Sequence, residues 1–381
     1  MKRVAIIGAG ISGLFIANLF KKTTNYKVTI FEKNNFINLE EGYGIQLSVN
    51  SIKFLNEINF NNFENDEKFN PYKINFYSIN NANKICELNI ADFNSQDCKY
   101  TTLKRSALIN FLKKDLKDEI KTGYSISRID QQDEQIKLSF ENNQIIECDY
   151  LIISDGVFSK SKSLISNSQV KPKYNDSLAI RATFSKLYKD IDDKNISLFF
   201  GPDFHYVIYP INPKGNFNFI AIIKHQLSVE EQKNYSLFND NSFIKKIFEK
   251  IPLKNKEFLS NLEEIKIFPI FVSNDFYKLQ NNNIHLVGDA FFAFPPSFAQ
   301  GASQSIEGAY ELFKSIENKN ESTFFNNRVK KTKMVNLRSK INHFAFHLSN
   351  PFTKFFRNIF LKRLVKNKKF LESYLGKVYK N

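Results

Sequence analysis

A glycine-rich turn close to the N-terminus constrains the fold of this chain more than any other segment. The turn reads GAGISG, which puts Gly8, Gly10 and Gly13 at the spacing Gly-x-Gly-x-x-Gly. It follows a short apolar run and precedes residues with helical apolar spacing, so it predicts a strand, a tight turn and a helix. In such a unit Gly8 permits the turn, Gly10 lets the backbone approach a pyrophosphate, and Gly13 allows the helix to pack on the strand. The N–H groups of Ile11 and Ser12 at the helix start would then face the phosphates.

An acidic residue follows the second strand of this unit, which reads KVTIF over Lys27–Phe31. Glu32 stands where a carboxylate binds the ribose hydroxyls of a dinucleotide. An acid at this place argues against a 2′-phosphate, although Lys33 is adjacent. A glycine-rich turn without a ligand is the alternative interpretation of the motif.

The later course of the chain favours FAD over a nicotinamide nucleotide as the dinucleotide. A nicotinamide enzyme normally continues its wound sheet, whereas this sequence leaves the α/β pattern for inserted segments and returns to it in the strand at 284–287. At the return the strand ends in Gly288-Asp289, which would present a carboxylate to a polyol such as the ribityl chain.

Composition and charge are those of a globular protein with an excess of basic residues. The 381 residues are 42% hydrophobic and 24% charged, which argues against an intrinsically disordered chain. The net charge of +15 fits nucleic acid, an anionic membrane surface, acidic ligands or a general enrichment in Lys, Asn, Ile and Phe. No compact Lys/Arg block precedes the C-terminus, so we expect no nucleic-acid partner. No apolar run reaches the length of a bilayer, and we expect a soluble or at most peripheral protein.

The cysteines indicate a reducing compartment. Cys86, Cys98 and Cys148 form no Cys-x-x-Cys pair and no spacing with histidine that would bind a metal. We therefore expect free thiols in a cytoplasmic protein without a bound metal.

Strand and helix patterns predict an α/β protein with discontinuous domains. Strand signals dominate from Leu178 to Ile223, Ile126–Phe140 and Ile145–Ser154 each read as a strand, and the pattern after about Ser322 is helical. Because α/β segments at both ends enclose these β-rich insertions, we predict a Rossmann-like FAD-binding domain with an inserted β-sheet substrate domain and a helical C-terminus. The predicted boundaries are 1–71, 101–170 and 276–320 for the FAD-binding domain, 72–100 and 171–275 for the substrate domain, and 321–381 for the C-terminal helices.

Five motifs follow one another along the chain in a characteristic order. They are the glycine turn with Glu32, GYGIQLSVNSIKFL, LKRSALINFL with Arg105, LIISDGVFSKSKS with Asp155-Gly156, and VGDAFFAFPPSFAQG with Asp289. In this order they resemble the single-component FAD-dependent aromatic hydroxylases, the flavoprotein monooxygenases that include salicylate, 3-hydroxybenzoate and para-hydroxybenzoate hydroxylases and hydroxylases of the ubiquinone pathway. The resemblance covers almost the whole chain. It implies an enzyme that binds FAD, docks NAD(P)H transiently and uses O₂ to hydroxylate a small phenolic or quinone-precursor substrate through a flavin C4a-hydroperoxide.

The resemblance also implies which residues hold the cofactor. Arg105 would pair with FAD phosphate or ribityl oxygens, unless it is a solvated arginine on a helix. Asp155 would hold the cofactor region and the nicotinamide route, unless it is an ordinary turn residue. Asp289 would bind the ribityl hydroxyls, and the helix start at Gln300-Gly301-Ala302 would face the flavin pyrimidine. The further positions assigned to the cofactor are Gly44, Gln46, Ile126, Gly156, Gly288 and Pro296.

A loop rich in phenylalanine and proline separates Asp289 from that helix start. The resemblance places this loop over the flavin ring, as a dry and stiff wall that keeps water from the oxygenated cofactor. Phe292 stands where the family often has a histidine, which leaves the identity of the substrate open. Phe294 and Pro295 are assigned to substrate binding. The wall would consist of Phe291, Phe292, Phe294, Pro295, Pro296 and Phe298.

The segment FGPDFHYVIYP carries the candidate catalytic pair. His205 and Tyr209 are four apart on a predicted strand, so both point to one face. Phenol hydroxylases that resemble this chain have a His and a Tyr at similar spacing, and a base beside a phenol favours the phenolate, whose ring is richer in electrons. The alternative is a structural histidine and a sheet tyrosine. Arg181 would bind a substrate carboxylate or form a cross-strand salt bridge.

The C-terminal segment, residues 351–381, mixes aromatic residues with many lysines. It would either lie on the inner face of an anionic membrane or cap the protein as a helix with a solvated basic face. A homodimer is also compatible with the sequence. Two other functions stay open: an FAD-dependent reductase or dehydrogenase that moves hydride without O₂, and a non-catalytic FAD-binding protein.

Overall fold

The structure is a computed structural model that describes residues 1–37, 39, 43–79, 83–132, 135–165, 171–185, 192–251, 261–279 and 282–380. Gly42, the first residue of the second motif, lies outside them. The described strands are β1 (Lys2–Ile7), β2 (Tyr26–Glu32), β3 (Gly44–Leu47), β4 (Lys68–Phe69), β5 (Lys73–Ser78), β6 (Lys84–Asn89), β7 (Thr101–Lys104), β8 (Ile120–Thr122), β9 (Ile126–Gln132), β10 (Gln135–Phe140), β11 (Ile145–Cys148), β12 (Tyr150–Ile153), β13 (Lys173–Phe184), β14 (Ile196–Gly201), β15 (Phe204–Pro210), β16 (Phe217–Lys224), β17 (Glu263–Val272) and β18 (Ile284–Leu286). The described helices are α1 (Ile11–Lys21), α2 (Val49–Asn56), α3 (Arg105–Lys113), α4 (Lys160–Ile165), α5 (Val229–Lys233), α6 (Asn241–Glu249), α7 (Gly301–Glu317), α8 (Glu321–Phe346), α9 (Pro351–Leu364), α10 (Lys368–Leu371) and α11 (Lys377–Tyr379).

The N-terminal strand forms the centre of a five-stranded parallel sheet in the order β18-β12-β1-β2-β8. Strand β1 pairs in parallel with β12 on one side and β2 on the other. Its alternate side chains enter different clusters: Val4 and Ile6 pack with α1 and α7, whereas Ala5 and Ile7 pack with β12 and β10. Burial on both faces is what a parallel sheet between covering elements requires. This sheet confirms the predicted Rossmann-like α/β fold.

Two segments that read as single strands are each divided in the structure. Ile126–Phe140 contains the antiparallel pair β9 and β10, and Ile145–Ser154 divides into β11 and β12. Strand β11 pairs with β10, whereas β12 joins the parallel sheet. The division falls at Asp149, whose carboxylate accepts a hydrogen bond of 2.5 Å from the backbone N–H of Arg3. The prediction of one strand in each segment was therefore wrong.

The β-rich segments combine into a seven-stranded sheet in the order β17-β13-β16-β15-β14-β5-β6. One face packs against α6 through residues such as Phe219 and Ile247. The other face, which includes Leu198 and Phe200, turns toward the C-terminal helices. This second face leaves a cavity beneath those helices. The predicted domain boundaries stay a prediction.

A small antiparallel sheet, β3-β7-β4, connects the two larger sheets. The backbone N–H of Gly44 donates to Asn218 Oδ1 at 2.7 Å, and Thr102 Oγ1 donates to the carbonyl of Pro210 at 2.5 Å. Both contacts join this connector to the seven-stranded sheet. None of the helices described above combines the length and the apolar character that crossing a membrane needs.

Candidate active site

The glycine turn has the conformation that its sequence predicts. Gly8 has a φ of +100°, and a Cβ there would lie 2.7 Å from the carbonyl oxygen of Ser154. A Cβ at Gly13 would lie 2.1 Å from the oxygen of Gly8, so the close packing of α1 requires glycine. At Gly10, by contrast, a Cβ would meet no atom within 4 Å. The turn thus leaves open space beside Gly10, at a helix start that has no side-chain cap.

Glu32 lies beside this turn because β1 and β2 are parallel and in register. Its Oε2 accepts a hydrogen bond of 3.0 Å from Ala9 N, and its Oε1 accepts one of 3.0 Å from Asn34 N. A carboxylate has about four acceptor positions, so two remain for ligand hydroxyls. Lys33 is exposed to solvent. The geometry fits a ribose at Glu32 and an adjacent phosphate at the start of α1.

Asp289 follows β18 and sits close to the start of α1. Gly288 has a φ of +61°, and a Cβ there would lie 2.5 Å from Ser12 Oγ. Depth in the protein raises the pKa of the Asp289 carboxyl to about 6, an effect that the positive charge of Arg105 partly opposes. The side chain is nevertheless accessible, because it faces an open cavity. Within the described part of the chain, this carboxylate accepts no side-chain or backbone hydrogen bond, as a group that awaits ligand hydroxyls would.

Arg105 begins α3, and its backbone N–H donates to the carbonyl of Tyr43 at 2.8 Å. Its guanidinium forms no ion pair with a described residue, which leaves it able to bind an anionic ligand. Gly44 lies where a Cβ would come within 2.6 Å of Asn218, so glycine is required for the contact between the sheets. Gln46 faces the cavity and accepts a hydrogen bond of 2.8 Å from the hydroxyl of Tyr100.

Other residues assigned to the cofactor have side chains engaged within the protein. Asp155 Oδ2 accepts a hydrogen bond of 3.0 Å from the backbone N–H of Ser161 in the first turn of α4. This contact is what we expect if Asp155 is an ordinary turn residue. Gly156, with a φ of +84°, borders open space. Ile126 is buried in the core of the parallel sheet, so only its backbone could contact a ligand. The cofactor contacts of Asp155, Gly156 and Ile126 stay a prediction.

The start of α7 rests on a buried polar network. Gln300 Nε2 donates to Ser48 Oγ at 3.1 Å, so the Gln300 side chain points into the protein. Gly301 and Ala302 face the cavity, and a Cβ at Gly301 would meet no atom within 4 Å. Below them Glu307 is almost fully buried and pairs with Arg328 at 3.5 Å and with Lys331 at 3.2 Å. Sequence reasoning missed this network, which fixes the helix whose N-terminus faces the cavity.

The phenylalanine-proline loop faces two ways, and this corrects the predicted wall. Phe291 and Phe292 pack in the hydrophobic core, where the ring of Phe292 stacks on Phe276 at 4.4 Å. Their positions follow the end of β18 and turn toward the interior, so they do not shield the cavity. The predicted wall residues that do line it are Phe294, Pro295, Pro296 and Phe298.

A cavity of about 800 Å³ extends from this loop along the seven-stranded sheet. Asp289 and Gly301 line one end of it. His205 and Tyr209 of β15 line its wall, as their shared strand face predicts. Most of its other lining residues are apolar, and many come from α8, α9 and the residues that follow.

His205 is buried and contacts a second histidine. Its Nδ1 lies 2.7 Å from His347 Nε2, and the His347 ring packs at 4.3 Å from that of His343. Burial, reinforced by these neighbouring imidazoles, lowers the pKa of His205 well below its ordinary value. His343 Nδ1 lies 3.0 Å from Ser297 Oγ in the loop. The spacing of His343 and His347, four apart in a predicted helix, was a signal that sequence reasoning did not use.

Tyr209 and Arg181 have polar neighbours at the cavity wall. Burial raises the pKa of Tyr209, while Arg181 and a hydrogen bond with Gln46 oppose that rise. Arg181 Nη1 donates to the Gly44 carbonyl at 3.5 Å, and its guanidinium lies 5.8 Å from the centre of the Tyr43 ring. Its neighbours on the adjacent strands are Ile220 and Lys266. Arg181 also lines the cavity, so its predicted contact with a substrate stays open.

Comparison with known proteins gives a consistent result. A family model described as FAD binding domain matches residues 1–319. The 6-hydroxynicotinate 3-monooxygenase of Bordetella bronchiseptica is 21% identical over 323 residues, which cover 83% of this chain and 82% of that enzyme. A salicylate hydroxylase of Pseudomonas putida is 22% identical over a match that covers 81% of this chain and 76% of that enzyme.

Solved structures show the same fold over nearly the full length. HpxO of Klebsiella pneumoniae, complexed with FAD and uric acid, superposes with a TM-score of 0.78 at 15% identity, covering 98% of this chain and 97% of that chain. A salicylate hydroxylase substrate complex superposes with a TM-score of 0.77 at 16% identity, covering 100% of this chain and 95% of that chain.

Proposed function

Because the chain belongs to the FAD binding domain family of flavoprotein monooxygenases, we propose that it uses NAD(P)H and O₂ to hydroxylate a phenolic ring in the cavity beside Asp289 and His205. The observation that carries this proposal is the continuity of one cavity. It joins the end where Asp289 and Gly301 would hold a flavin to the wall where His205 and Tyr209 would meet a substrate.

The residues around the glycine turn fit FAD. The open space at Gly10 would accommodate a pyrophosphate, the acceptor positions of Glu32 suit ribose hydroxyls, and the accessible carboxylate of Asp289 suits the ribityl chain. Arg105, whose guanidinium forms no ion pair with a described residue, adds positive charge near Asp289. Bound FAD would pass two electrons from NAD(P)H to O₂, so that one oxygen atom of O₂ enters the substrate and the other leaves as water. The N-terminus of α7 would stabilise negative charge at the nearby end of the ring system.

The cavity wall supports an oxygenase rather than a simple electron carrier. Phe294, Pro295 and Phe298 line the cavity together with Gly301 and would make that region poor in water once a flavin is bound. A water-poor pocket slows the loss of reduced oxygen as hydrogen peroxide. The proline residues restrict the backbone of the loop, and Asn342 Nδ2 anchors it by donating to the Ser297 carbonyl at 3.2 Å.

His205 would accept and pass on the proton of a phenol. Its Nδ1 bonds to His347 Nε2, which leaves Nε2 of His205 for the substrate hydroxyl. Because its pKa is well below the ordinary value, the imidazole of His205 is neutral at pH 7 before it accepts a proton from the substrate. A proton accepted at Nε2 can leave through Nδ1 toward His347. Tyr209 on the same strand face would position the ring.

The decisive experiment measures electron and oxygen balance in the purified protein. We expect bound FAD, and oxidation of NADH or NADPH that a phenol stimulates and that matches O₂ uptake, with little hydrogen peroxide. A panel of phenols and hydroxylated benzoates assayed with each nucleotide identifies the substrate class. Turnover that persists without O₂ would instead indicate a reductase, and inert bound FAD a non-catalytic flavin protein. A protein that takes up no FAD on reconstitution contradicts the proposal.

A further inference from the structure

Helices α8 and α9 carry an unusual number of exposed aromatic side chains. Phe352, Phe355 and Phe360 of α9 are 70%, 60% and 57% exposed, and Phe344 of α8 is 70% exposed. The spacing in α9 puts its phenylalanines on one broad face, and Phe356 stacks edge-on against Phe352 at 4.7 Å. Single exposed apolar residues are ordinary, but a group of this size marks an interaction surface. We call it the aromatic surface: Ile341, Phe344, Phe352, Phe355, Phe356 and Phe360.

Positive charge surrounds the aromatic surface. The sequence from Pro351 to Leu371 contains seven Lys and Arg residues and no Asp or Glu. Arg357 turns inward, where its guanidinium lies 4.3 Å from the centre of the Phe200 ring. Five others are exposed and form no ion pair with any residue that the structure describes: Lys362, Arg363, Lys366, Lys368 and Lys369.

The cavity of the candidate site reaches this surface. Its lining includes Ile341, Phe344 and Phe360 of the aromatic surface. Leu361, Leu364 and Val365, which follow Phe360, extend the apolar lining inward. The cavity volume of about 800 Å³ is near the upper end of the range of about 300–1,000 Å³ for ligand pockets. An apolar passage therefore leads from the flavin end of the cavity to an exposed aromatic and basic face.

We infer that the aromatic surface docks on an anionic lipid bilayer, from which the cavity admits an aromatic substrate that carries an aliphatic tail. Phenylalanine side chains enter the boundary between headgroups and acyl chains, and the flanking lysines and arginines attract anionic headgroups. The ring would reach His205 while the tail lies along the apolar passage. This substrate class rests on the hydroxylase function proposed above, whereas the docking does not.

Charge favours a bilayer over a second copy of the chain as the occupant. A twofold interface through the aromatic surface would bring the same basic segment of both copies together. The net charge of +15 makes such self-association unfavourable at long range as well. An anionic bilayer supplies the opposite charge and an apolar layer together.

Docking is tested with the FAD-loaded protein and lipid vesicles. We expect flotation with phosphatidylcholine vesicles that contain 30% phosphatidylglycerol, at least tenfold weaker binding to pure phosphatidylcholine, and release by high salt. The variant Phe352→Ser, Phe355→Ser, Phe356→Ser removes three rings that do not line the cavity, and should bind at least tenfold more weakly. The control Val229→Ser, Tyr235→Ser removes two exposed side chains that lie on or beside α5, distant in sequence from the aromatic surface. It should bind vesicles like the wild type.

Two outcomes would overturn the docking. One is equal flotation of the wild type and the triple variant. The other is a concentration-dependent dimer, measured by analytical ultracentrifugation without lipid, that the triple variant abolishes, because the surface would then be a self-association interface. Thermal unfolding and FAD content must match the wild type in each variant, which separates loss of docking from misfolding.

The substrate class is tested by comparing one phenol with and without a long alkyl chain. With the anionic vesicles present, the tailed phenol should stimulate NAD(P)H oxidation at least tenfold more in the wild type than in the triple variant. The tailless phenol should stimulate both proteins equally, because the substituted residues lie outside the cavity. Equal response of both proteins to the tailed phenol overturns the inferred route. No response to any phenol contradicts the proposed hydroxylase function, while the flotation result still decides the docking.

Discussion

In the glycine turn, Gly10 borders open space whereas Gly13 packs against the backbone of Gly8. We therefore expect substitutions at these two positions to have different effects. Gly10→Ala places a methyl group in the open space where a pyrophosphate would sit, and the backbone there has an ordinary φ of −83°. We expect FAD affinity to fall at least tenfold while the free energy of unfolding of the apoprotein stays within about 1 kcal/mol of the wild type. Isothermal titration with FAD and urea denaturation measure the two quantities.

The matched control is Gly13→Ala. Its Cβ would lie 2.1 Å from the backbone oxygen of Gly8, so the apoprotein itself should be destabilised or fail to fold. If Gly10→Ala bound FAD like the wild type, the pyrophosphate would not lie at this turn.

Asp289 makes cofactor affinity depend on pH. Its pKa of about 6 in the apoprotein lies above the ordinary value of 3.8 because its depth in the protein disfavours the charged form, although the side chain faces the cavity. Hydroxyl donors of a ligand favour the ionised carboxylate, so FAD affinity should rise as the pH increases through about 6. Asp289→Asn should bind FAD about tenfold to a hundredfold more weakly at pH 8, the loss of about 1.5–3 kcal/mol in hydrogen bonds to a charged group. Fluorescence titrations between pH 5 and 8 measure both effects.

The same residue has the opposite effect on the apoprotein. A carboxyl whose pKa is raised on folding stabilises the fold most below its unfolded pKa, and that contribution is lost as the pH rises through about 6. Because water in the cavity screens the carboxylate, apo Asp289→Asn should have only a slightly higher unfolding temperature than the wild-type apoprotein at pH 8 and should lose this advantage near pH 4. If Asp289→Asn bound FAD at pH 8 as tightly as the wild type does, Asp289 would not contact the cofactor.

His205 should affect turnover without affecting cofactor binding. His205→Gln keeps a polar side chain of similar length but cannot pass a proton between two ring nitrogens, so substrate-stimulated turnover should fall about a hundredfold. FAD affinity should be unchanged. Because the pKa of His205 lies well below its ordinary value, the wild-type pH–rate profile should show no loss of rate from His205 as the pH falls from 7 to 6. Stopped-flow measurement of NAD(P)H oxidation tests this, and wild-type turnover in the variant would contradict the assigned role.

Among the secondary-structure elements, α7 depends on buried charge. Glu307 on α7 and Arg328 on α8 have side chains only 2% and 5% exposed. Glu307→Gln would remove one of the two carboxylates that pair with Arg328 and leave Glu311 at 3.4 Å, so the free energy of unfolding should fall by about 3 kcal/mol, the lower end of the loss for a broken buried pair. The control is Glu87→Gln, which removes a carboxylate from exposed ion pairs with Lys73 and Lys84 and should cost no more than about 1 kcal/mol. Urea denaturation compares the two variants, and equal losses would show that Glu307 has no special structural role.

Element prediction succeeded where apolar alternation and turn residues agreed. The strands from Leu178 to Ile223 were predicted correctly because each apolar run ends at a Gly, Pro or charged turn. The run from Ile145 to Ser154 contains no Gly or Pro, and single charged residues such as Asp149 also occur within strands, so its division at Asp149 was not visible. That division depends on Arg3, which lies far from Asp149 in the sequence but donates to it across the sheet.

For the whole molecule, sequence order indicated which residues lie together at the candidate cofactor site, but it did not indicate the full lining of the cavity. The glycine turn, Glu32 and Asp289 converge because parallel strands place their C-terminal ends along one edge of a sheet. The contact between His205 and His347 joins residues 142 positions apart, through a helix whose packing no local pattern specifies. The same holds for the inward packing of Phe291 and Phe292, since a run of phenylalanines does not reveal which rings face the core.

The candidate cofactor residues lie along the parallel sheet, whereas the candidate substrate residues lie on the seven-stranded sheet. We therefore predict that a substitution can block substrate binding while the cofactor stays bound. Val207 lies between His205 and Tyr209 on the cavity face of β15, and its side chain is only partly buried. Val207→Trp would therefore fill cavity space instead of overpacking the core. We expect unchanged FAD content and unfolding temperature, with phenol-stimulated NAD(P)H oxidation at least tenfold lower. The control Ile145→Trp adds the same ring at an exposed position of β11 and should retain activity. If Val207→Trp kept full stimulation by the phenol, the substrate would bind elsewhere. A substrate that binds between the flavin and His205 could not enter a cavity that the tryptophan ring fills.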